Sequence, residues 1–346
     1  MTFTSAVARL VGQGTIARDL SGTILIARGS EVVAETFGGV ADAATGASPT
    51  AATRFGTASV TKMFTAVAVS RLVERKRIDY HTQVREILPS SWFPSALHPS
   101  TTVHHLLTHT SGLPDYLPDM DPGTPDLWRE LGHPGIRRAV DFLPILAALP
   151  KGTPPTAVAS YCNSGYIVLG LILEAIGGVP YSETITAEVF DRAQMSESGF
   201  FPLDDLPADV AVGWVPPYGD HQESPTNVDL LPLLGAPDGG AFCTARDLVK
   251  FLLDLHHGKF LAEPIRDAVL TAWARDAAED TAFGYGQRIV ERGGRRWFGH
   301  TGEDAGVSAR AFHCPADGVS LILLTNRSHG VGSLWRDLAD ELPAAD

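Results

Sequence analysis

Ser59 and Lys62 stand three positions apart at the start of a long apolar helical pattern, and they are the residues of this chain best suited to chemistry. Residues i and i+3 share one face of a helix, so the lysine amine can approach the serine hydroxyl. A serine hydroxyl attacks a carbonyl carbon when a neighbouring group takes its proton. Lys62 is the only one of the five lysines with a serine three residues before it. The pair therefore predicts an acyl-transfer site.

Two further motifs follow in the order that such a site requires. Tyr161 is the only tyrosine with an asparagine, Asn163, two places later, and His300-Thr301-Gly302 lies near the end of the chain. Free lysine and tyrosine side chains have pKa values of about 10.4 and 10, so neither is a good base in water near pH 7. Burial or a neighbouring cation must favour the deprotonated form. The lysine and the tyrosine both remain candidates for the base.

The three motifs together resemble those of the penicillin-recognising serine hydrolases, which include class C β-lactamases, DD-carboxypeptidases and the esterases called family VIII. The resemblance covers most of the chain, including residues 106–114 and Gly239-Gly240 followed by residues 244–247. Many members have lysine where this chain has His300, whereas some DD-carboxypeptidases and D-amino-acid peptidases have histidine. This departure bears on the substrate more than on the mechanism.

The resemblance implies roles for the residues around the nucleophile. Asn163 would hold Lys62 and the acyl amide or ester of the substrate, because its amide group both donates and accepts hydrogen bonds. If Ser59 begins its helix, its own N–H group is free to bind the oxyanion. By resemblance, the N–H group of Glu303 would be the second donor, and such donors contribute roughly 2.7 to 4 kcal/mol each in other serine enzymes.

The strand near residue 300 is expected to face the substrate. Gly302 would let the substrate lie close to the strand. His300, with Thr301 beside it, would take the place of the cation that steadies the intermediate or a substrate carboxylate. If that histidine must be protonated, turnover of an anionic substrate should fall as the pH rises through a pKa near 6.5. Glu303 and Asp304 would disfavour a substrate carboxylate if they face the cleft, although strand alternation leaves open that they point to solvent.

The elements that position these residues follow from the apolar pattern. We predict helices over residues 4–20, 59–76 and 245–256, a hairpin over 23–37, and strands near 286–291, 295–299, 307–313 and 319–325. Residues 79–238 are rich in proline and short helical patterns. These patterns indicate an α/β (α+β) fold, and the resemblance implies its β-lactamase/transpeptidase-like form. Helices would flank an antiparallel sheet built from residues 1–78 and 239–346, with 79–238 as a mainly helical inserted region and the active site between them.

Composition excludes several classes of partner. The net charge of −13 argues against nucleic acid, because a phosphate backbone requires a basic surface. The longest apolar run, residues 166–173, is far shorter than the ~20 residues that span a bilayer. The amino terminus lacks the basic start and apolar core of a secretory signal. We therefore expect a cytoplasmic protein that acts on a small molecule, although a protein whose signal had been removed would look the same.

Other residues that suggest a site have simpler interpretations. His104, His105 and His109 have no cysteine or carboxylate at a ligand-like spacing, so we predict structural histidines and no metal site. Asp115 and two later aspartates, Asp119 and Asp121, lack a calcium-loop pattern, and we predict solvated loop residues. No motif indicates a cofactor, since a phosphate-binding loop, a zinc motif and the nucleophile elbow of α/β-hydrolases are all missing from the sequence.

The three cysteines, Cys162, Cys243 and Cys314, leave one unpaired in any disulfide scheme. Cys162 lies between two proposed site residues, yet we predict a small core side chain there because buried cysteine commonly packs as a small apolar residue. We do not assign it a nucleophilic or redox role.

These observations predict a metal-free serine hydrolase that forms a Ser59 acyl-enzyme with an ester, a β-lactam or a D-amino-acid amide. Small neutral esters should be better substrates than penicillins if Glu303 and Asp304 face the cleft. One alternative is a penicillin-binding sensor or pseudoenzyme, which a burst of product without a steady phase would identify. The other is a biosynthetic acyltransferase, and the catalytic motifs do not separate acyl transfer from hydrolysis.

Overall fold

The computed structural model describes residues 20–117, 135–215, 226–228, 230–258, 260–276 and 279–342. The helix predicted over residues 4–20 lies outside these ranges except for its last residue. Within them, helices flank an eight-stranded antiparallel sheet. This architecture confirms the predicted α+β class.

The main sheet joins the two ends of the chain. Its strand order is β2-β1-β10-β9-β8-β7-β6-β5, and β1 pairs with β10 along its whole length. A separate ribbon pairs β3 with β4. The strands are β1 (Gly22–Arg28), β2 (Glu31–Gly38), β3 (Phe55–Gly56), β4 (Phe242–Cys243), β5 (Ala274–Asp276), β6 (Thr281–Phe283), β7 (Arg288–Arg292), β8 (Arg295–Asp304), β9 (Val307–Cys314) and β10 (Val319–Thr325).

The strand that carries His300 is longer than its sequence indicates. A strand was predicted only over residues 295–299, but β8 continues to Asp304 because β9 pairs with it as far as Val307. The glycines at 299 and 302 weaken the strand pattern in the sequence, since glycine has a low β propensity. The ladder to β9 outweighs that preference and places residues 300–304 in a regular strand.

The described part of the chain contains both long and very short helices. They are α1 (Thr61–Glu74), α2 (Val84–Ile87), α3 (Val103–Leu107), α4 (Leu143–Ala148), α5 (Asn163–Gly177), α6 (Tyr181–Ile185), α7 (Ala245–His257), α8 (Glu263–Leu270) and α9 (Val331–Glu341). One-turn 3-10 helices cover Ala58–Val60 and Ala139–Phe142, and a π turn, Thr186–Phe190, continues α6. The described parts of region 79–238 contribute α2 to α6, whereas every strand of the main sheet lies outside that region. The domain boundaries themselves stay a prediction.

The core forms on both faces of the sheet. Leu248 and Leu252 of α7 pack with Leu25 and Ile322 on one face, while Trp335 of α9 packs among side chains of the other face. Alternate residues of a strand point to opposite faces, and because both faces are covered, β1 and β10 are mostly apolar and are buried along almost their whole length. Helix α5 is apolar on all sides and is buried over its first three turns, as expected for a central core helix.

Helix length is relevant to membrane association. No single helix in the described ranges is long and apolar enough to cross a bilayer. Helix α5 and the segment Tyr181–Phe190 pass that test only when they are taken together, across a bend of 81°.

Candidate active site

Ser59 lies in the middle of the 3-10 helix Ala58–Val60, which leads directly into α1. Ala58 has a φ of 44°, in the left-handed region that non-glycine residues rarely adopt. Such strain is commonly found at functional sites. The N–H groups in the first turn of a helix have no intrahelical acceptor, so this position suits the oxyanion role predicted for the Ser59 N–H group.

Lys62 is fully buried and contacts three acceptors. Its Nζ lies 2.9 Å from Ser59 Oγ, 2.7 Å from Asn163 Oδ1 and 2.6 Å from the carbonyl oxygen of Asp238. The amide and carbonyl oxygens can only accept hydrogen bonds, so two of the three positions on Nζ must carry protons. The third position faces the serine. At this position a protonated amine donates to Ser59 Oγ, whereas a neutral amine presents its lone pair to the Ser59 hydroxyl.

Asp115 orients Asn163, so the prediction of a solvated loop residue was wrong for this aspartate. Asp115 Oδ2 accepts from Asn163 N at 3.1 Å and from Asn163 Nδ2 at 2.9 Å, and Oδ1 accepts from Ser164 N at 3.3 Å. A carboxylate only accepts, so the Asn163 amide must turn its oxygen toward Lys62. Burial raises the pKa of Asp115, while the backbone donors of Asn163 and Leu117 lower it.

The sequence interpretation of Asp115 was wrong because linear spacing does not show that this loop folds back onto the first turn of α5. Asp119 and Asp121, which were interpreted in the same way, lie outside the described residues.

We predict that Asp115→Asn lowers kcat/KM by roughly tenfold and also lowers the melting temperature. The NH2 group of the new amide must face either the donors of Asn163 or the N–H group of Ser164. Each buried group that loses its hydrogen-bond partner in this way costs about 1–3 kcal/mol of stability. The Asn163 amide then loses the contact that fixes its orientation. Steady-state kinetics and thermal unfolding measure both effects.

Asp141→Asn is the matched control, because Asp141 Oδ2 also accepts two backbone N–H groups, those of Arg137 and Arg138. It should lower stability without lowering kcat/KM. Equal losses of activity in the two variants would contradict the orienting role of Asp115.

Tyr161 lies beside two cations. Lys62 Nζ is 4.9 Å from the centroid of its ring, and the guanidinium carbon of Arg288 is also 4.9 Å from it. The rings of His109 and His300 have their centroids 4.5 and 6.1 Å away. Cations within about 6 Å of an aromatic ring are attracted to its face. Arg288 was not identified from the sequence, because it stands in β7 with no motif around it.

Gly302 contacts the protein's own backbone. A Cβ atom there would lie 2.2 Å from the carbonyl oxygen of Thr57, so a larger residue would push β8 away from the turn that carries Ser59. The missing side chain thus permits the approach of strand and nucleophile, in addition to any contact with substrate. β7 pairs with β8 only as far as Gly299, so among the described strands residues 300–304 pair on one side only, with β9.

His300 is buried with 1% of its surface exposed, and its Nδ1 lies 2.5 Å from the carbonyl oxygen of Thr301. Since a carbonyl only accepts, Nδ1 carries the proton. Burial, followed by the positive charges of Arg288 and Lys62, holds the pKa of His300 well below its usual value. A neutral imidazole at this position supplies no cation, and the lowered pKa argues against the conditional expectation that His300 titrates near pH 6.5.

Of the two carboxylates predicted beside His300, those of Glu303 and Asp304, only that of Asp304 is free of an ion pair with a cation among the described residues. Glu303 Oε1 accepts from Arg310 at 2.6 Å and from the Ser308 hydroxyl at 3.0 Å. The guanidinium group of Arg310 therefore balances the negative charge of this carboxylate. Burial raises the pKa of Asp304 to about 7, and the carboxylates of Asp238 and Glu303 add to that effect. By strand alternation Asp304 lies on the same face of β8 as His300.

We predict that the ratio of kcat/KM for an anionic ester to that for a neutral ester falls severalfold as the pH rises through about 7. Asp304 gains its negative charge over this range and then repels an anionic substrate. His300 is already neutral and does not contribute. The measurement is a pair of pH–rate profiles for the two esters.

The change in ratio should persist in His300→Asn and disappear in Asp304→Asn. The reverse result would assign the titration to His300 and contradict the structural interpretation of a neutral imidazole.

His104, His105 and Cys162, which lie among or near the candidate residues, have structural contacts. His104 Nδ1 lies 2.9 Å from the Tyr285 hydroxyl, and His105 forms part of the cap that begins α3. In the ranges that the structure describes, no group of three or more His, Cys, Asp or Glu side chains is arranged to hold a metal ion. Cys162 is buried and burial raises the pKa of its thiol to about 12, which confirms the predicted core side chain.

Comparison with known proteins gives consistent similarities. A family model described as "Beta-lactamase" matches residues 7–343. Penicillin-binding protein 4 of Amycolatopsis lactamdurans is 27% identical over 89% of this chain and 82% of that protein. Esterase EstB of Burkholderia gladioli is 29% identical over 90% of this chain and 87% of that protein. The crystal structure of a penicillin binding protein from Bacillus halodurans is 34% identical, with a TM-score of 0.83 and coverage of 97% of this chain and 98% of that one.

Proposed function

Because this chain belongs to the β-lactamase family, we propose that it is a serine hydrolase that cleaves a small ester or amide through a covalent Ser59 acyl-enzyme. The observation that carries the proposal is the position of Lys62 Nζ, 2.9 Å from Ser59 Oγ and held by two further acceptors. The distance is that of a hydrogen bond, as nucleophilic catalysis by serine requires.

The proposed reaction has two steps, acylation of Ser59 by the substrate and hydrolysis of the acyl-enzyme by water. Ser59 Oγ bonds to the carbonyl carbon while its proton moves to Lys62 or Tyr161, and the carbonyl oxygen becomes an oxyanion beside the N–H groups of Ser59 and Glu303. The oxyanion then collapses, and the bond to the leaving group breaks as that group takes the proton. Water repeats the sequence on the acyl-enzyme and releases the acid. The geometry around Lys62 supports it as the base, and Tyr161 stays the alternative.

The charges around the site support a neutral substrate. Where many family members have lysine, this chain has a buried neutral His300, and Asp304 adds negative charge above about pH 7. Arg288, the other cation near Tyr161, forms an ion pair with Glu279. A neutral ester or amide avoids the desolvation of a substrate carboxylate that such a site would require. We therefore propose that small neutral esters react faster than penicillins.

The test is the intact mass of the protein after exposure to a short p-nitrophenyl ester, a penicillin and a D-alanyl peptide. We expect an adduct that peptide mapping places on Ser59, formed fastest with the ester and lost again as product accumulates. An adduct that persists with a single burst of product would indicate the sensor, and faster transfer to an added alcohol than to water would indicate the acyltransferase. No adduct with any of the three compounds would overturn the proposed function.

A further inference from the structure

His109 contacts three consecutive residues of the segment that carries Tyr161. Its carbonyl oxygen accepts from Ser160 N at 2.8 Å, and its Nδ1 accepts from Cys162 N at 3.1 Å. Between these two bonds, its ring stacks on the Tyr161 ring with centroids 4.5 Å apart and an angle of 31° between the planes. We propose that His109 is a positioning residue that sets the Tyr161 ring beside Lys62. This inference rests on the proposed function.

The end of α3 explains why His109 can make these contacts. The helix ends at Leu107, and His109 then adopts a φ of 59°, in the left-handed region. A left-handed residue just after a helix turns the chain away from the helix axis. Histidine, asparagine and aspartate are the non-glycine residues most often found there. The turn therefore presents the imidazole and the carbonyl of one residue to the same neighbouring segment.

The hydrogen bond to Cys162 determines the tautomer of His109. Nδ1 receives an N–H group, so it must be the unprotonated nitrogen, and Nε2 carries the proton. Only 3% of the residue is exposed, and Nε2 contacts no hydrogen-bond partner among the described residues. Burial, followed by the charges of Lys62 and Arg288, holds the pKa of His109 well below its usual value. A protonated ring would direct Nδ1–H at the Cys162 N–H group and break the contact.

Among the described aromatic rings, that of His109 lies nearest to the Tyr161 ring, and the cations Lys62 and Arg288 each lie 4.9 Å from the ring centroid. The Tyr161 side chain is partly exposed, and the ring of Phe283 lies 6.2 Å from it but only 4.9 Å from His109. Asn163, two residues later, is held separately by Asp115. Loss of the His109 ring therefore removes the nearest ring contact of Tyr161 without releasing the asparagine. A displacement of about 1 Å at a reacting group can lower the rate by roughly 10²-fold.

The variant His109→Asn separates the effect of the imidazole ring from the effect of its hydrogen bond to Cys162 N. Asparagine tolerates the left-handed backbone, and its Oδ1 can accept from Cys162 N as Nδ1 does. The substitution therefore removes the ring contacts of His109, with Tyr161, Tyr166 and Phe283, and can keep the hydrogen bond. We expect kcat/KM for the ester to fall by 10-fold or more, on the order of 10²-fold. In a Tyr161→Phe background the same substitution should change kcat/KM by less than about twofold, because no phenol remains to be positioned. Equal losses in both backgrounds would overturn the inference.

His313→Asn is the matched control. His313 is also fully buried and bonded through Nδ1, to the Ser320 hydroxyl at 2.9 Å, but it packs against His256 on α7. It should lower the melting temperature and leave kcat/KM within about twofold in both backgrounds. If the effect of His313→Asn on kcat/KM also differed between the wild-type and Tyr161→Phe backgrounds, the comparison would report general destabilisation, and the positioning role would be rejected.

Two measurements do not depend on turnover, and the first needs only the wild-type protein. In the wild-type protein, ¹⁵N NMR of labelled histidine should show an unprotonated Nδ1 for His109 at neutral pH, and a protonated Nδ1 would overturn the inference. In the crystal structure of His109→Asn, the Tyr161 ring should be displaced relative to Ser59, and an unmoved ring would overturn it equally. Failure of the proposed function is distinct, since it appears as the absence of a Ser59 adduct on the wild-type protein.

Discussion

Ser59→Ala is expected to abolish acylation and to lower kcat/KM by at least about 10⁴-fold, because no other group in this geometry can form the covalent bond to the carbonyl carbon. The fold should persist, since the Ser59 side chain is only partly buried and water can replace its oxygen beside Lys62 Nζ. The measurements are the intact mass after a fluorophosphonate or penicillin, and the steady-state rate with the ester.

Ser160→Ala provides the control, because Ser160 is an exposed serine next to Tyr161. It should label and turn over like the wild-type protein. A Ser59→Ala protein that still gains the mass of one acyl group would place the nucleophile elsewhere and would remove the basis of the proposed mechanism.

The motifs in the sequence predicted which residues meet in space. The structure brings together residues from three separate parts of the chain: Ser59 and Lys62 from the 3-10 helix and α1, Tyr161 and Asn163 from just before and at the start of α5, and His300 from β8. Their side chains are the ones that acyl transfer needs, so chemistry and order along the chain were sufficient to group them. The pairing of β1 with β10 was also predictable, because apolar strands at both chain ends need a common sheet.

The contacts that orient those residues were not predictable. Asp238 supplies Lys62 with a backbone carbonyl, which no side-chain pattern reveals. Asp115 and His109 contact the site from a neighbouring loop that contains a left-handed turn at His109, and the sequence indicates only that such a turn is permitted. The electrostatic state of His300 depends on burial and on Arg288 from the adjacent strand, so its charge could not be assigned before the strands were paired.

Lys62→Met is the second substitution for which we expect a large effect, a loss of about 10²- to 10⁴-fold in kcat/KM for the ester, as is typical when a general base is removed. Methionine matches the length of the buried stem and cannot accept the Ser59 proton. It also leaves Asn163 Oδ1 and the Asp238 carbonyl oxygen without their donor, at about 1–3 kcal/mol for each buried group that stays unsatisfied. Single-turnover acylation and thermal unfolding measure the two effects separately.

Tyr161→Phe decides how the proton moves from Ser59. If Lys62 is the base, Tyr161→Phe should slow acylation less than Lys62→Met does, and the double variant should lose little more than Lys62→Met alone. If Lys62→Met costs less than about tenfold while Tyr161→Phe abolishes acylation, the phenol is the base. Lys62 would then serve as the cation that stabilises negative charge on the phenol, at the 4.9 Å separation between Nζ and the ring centroid.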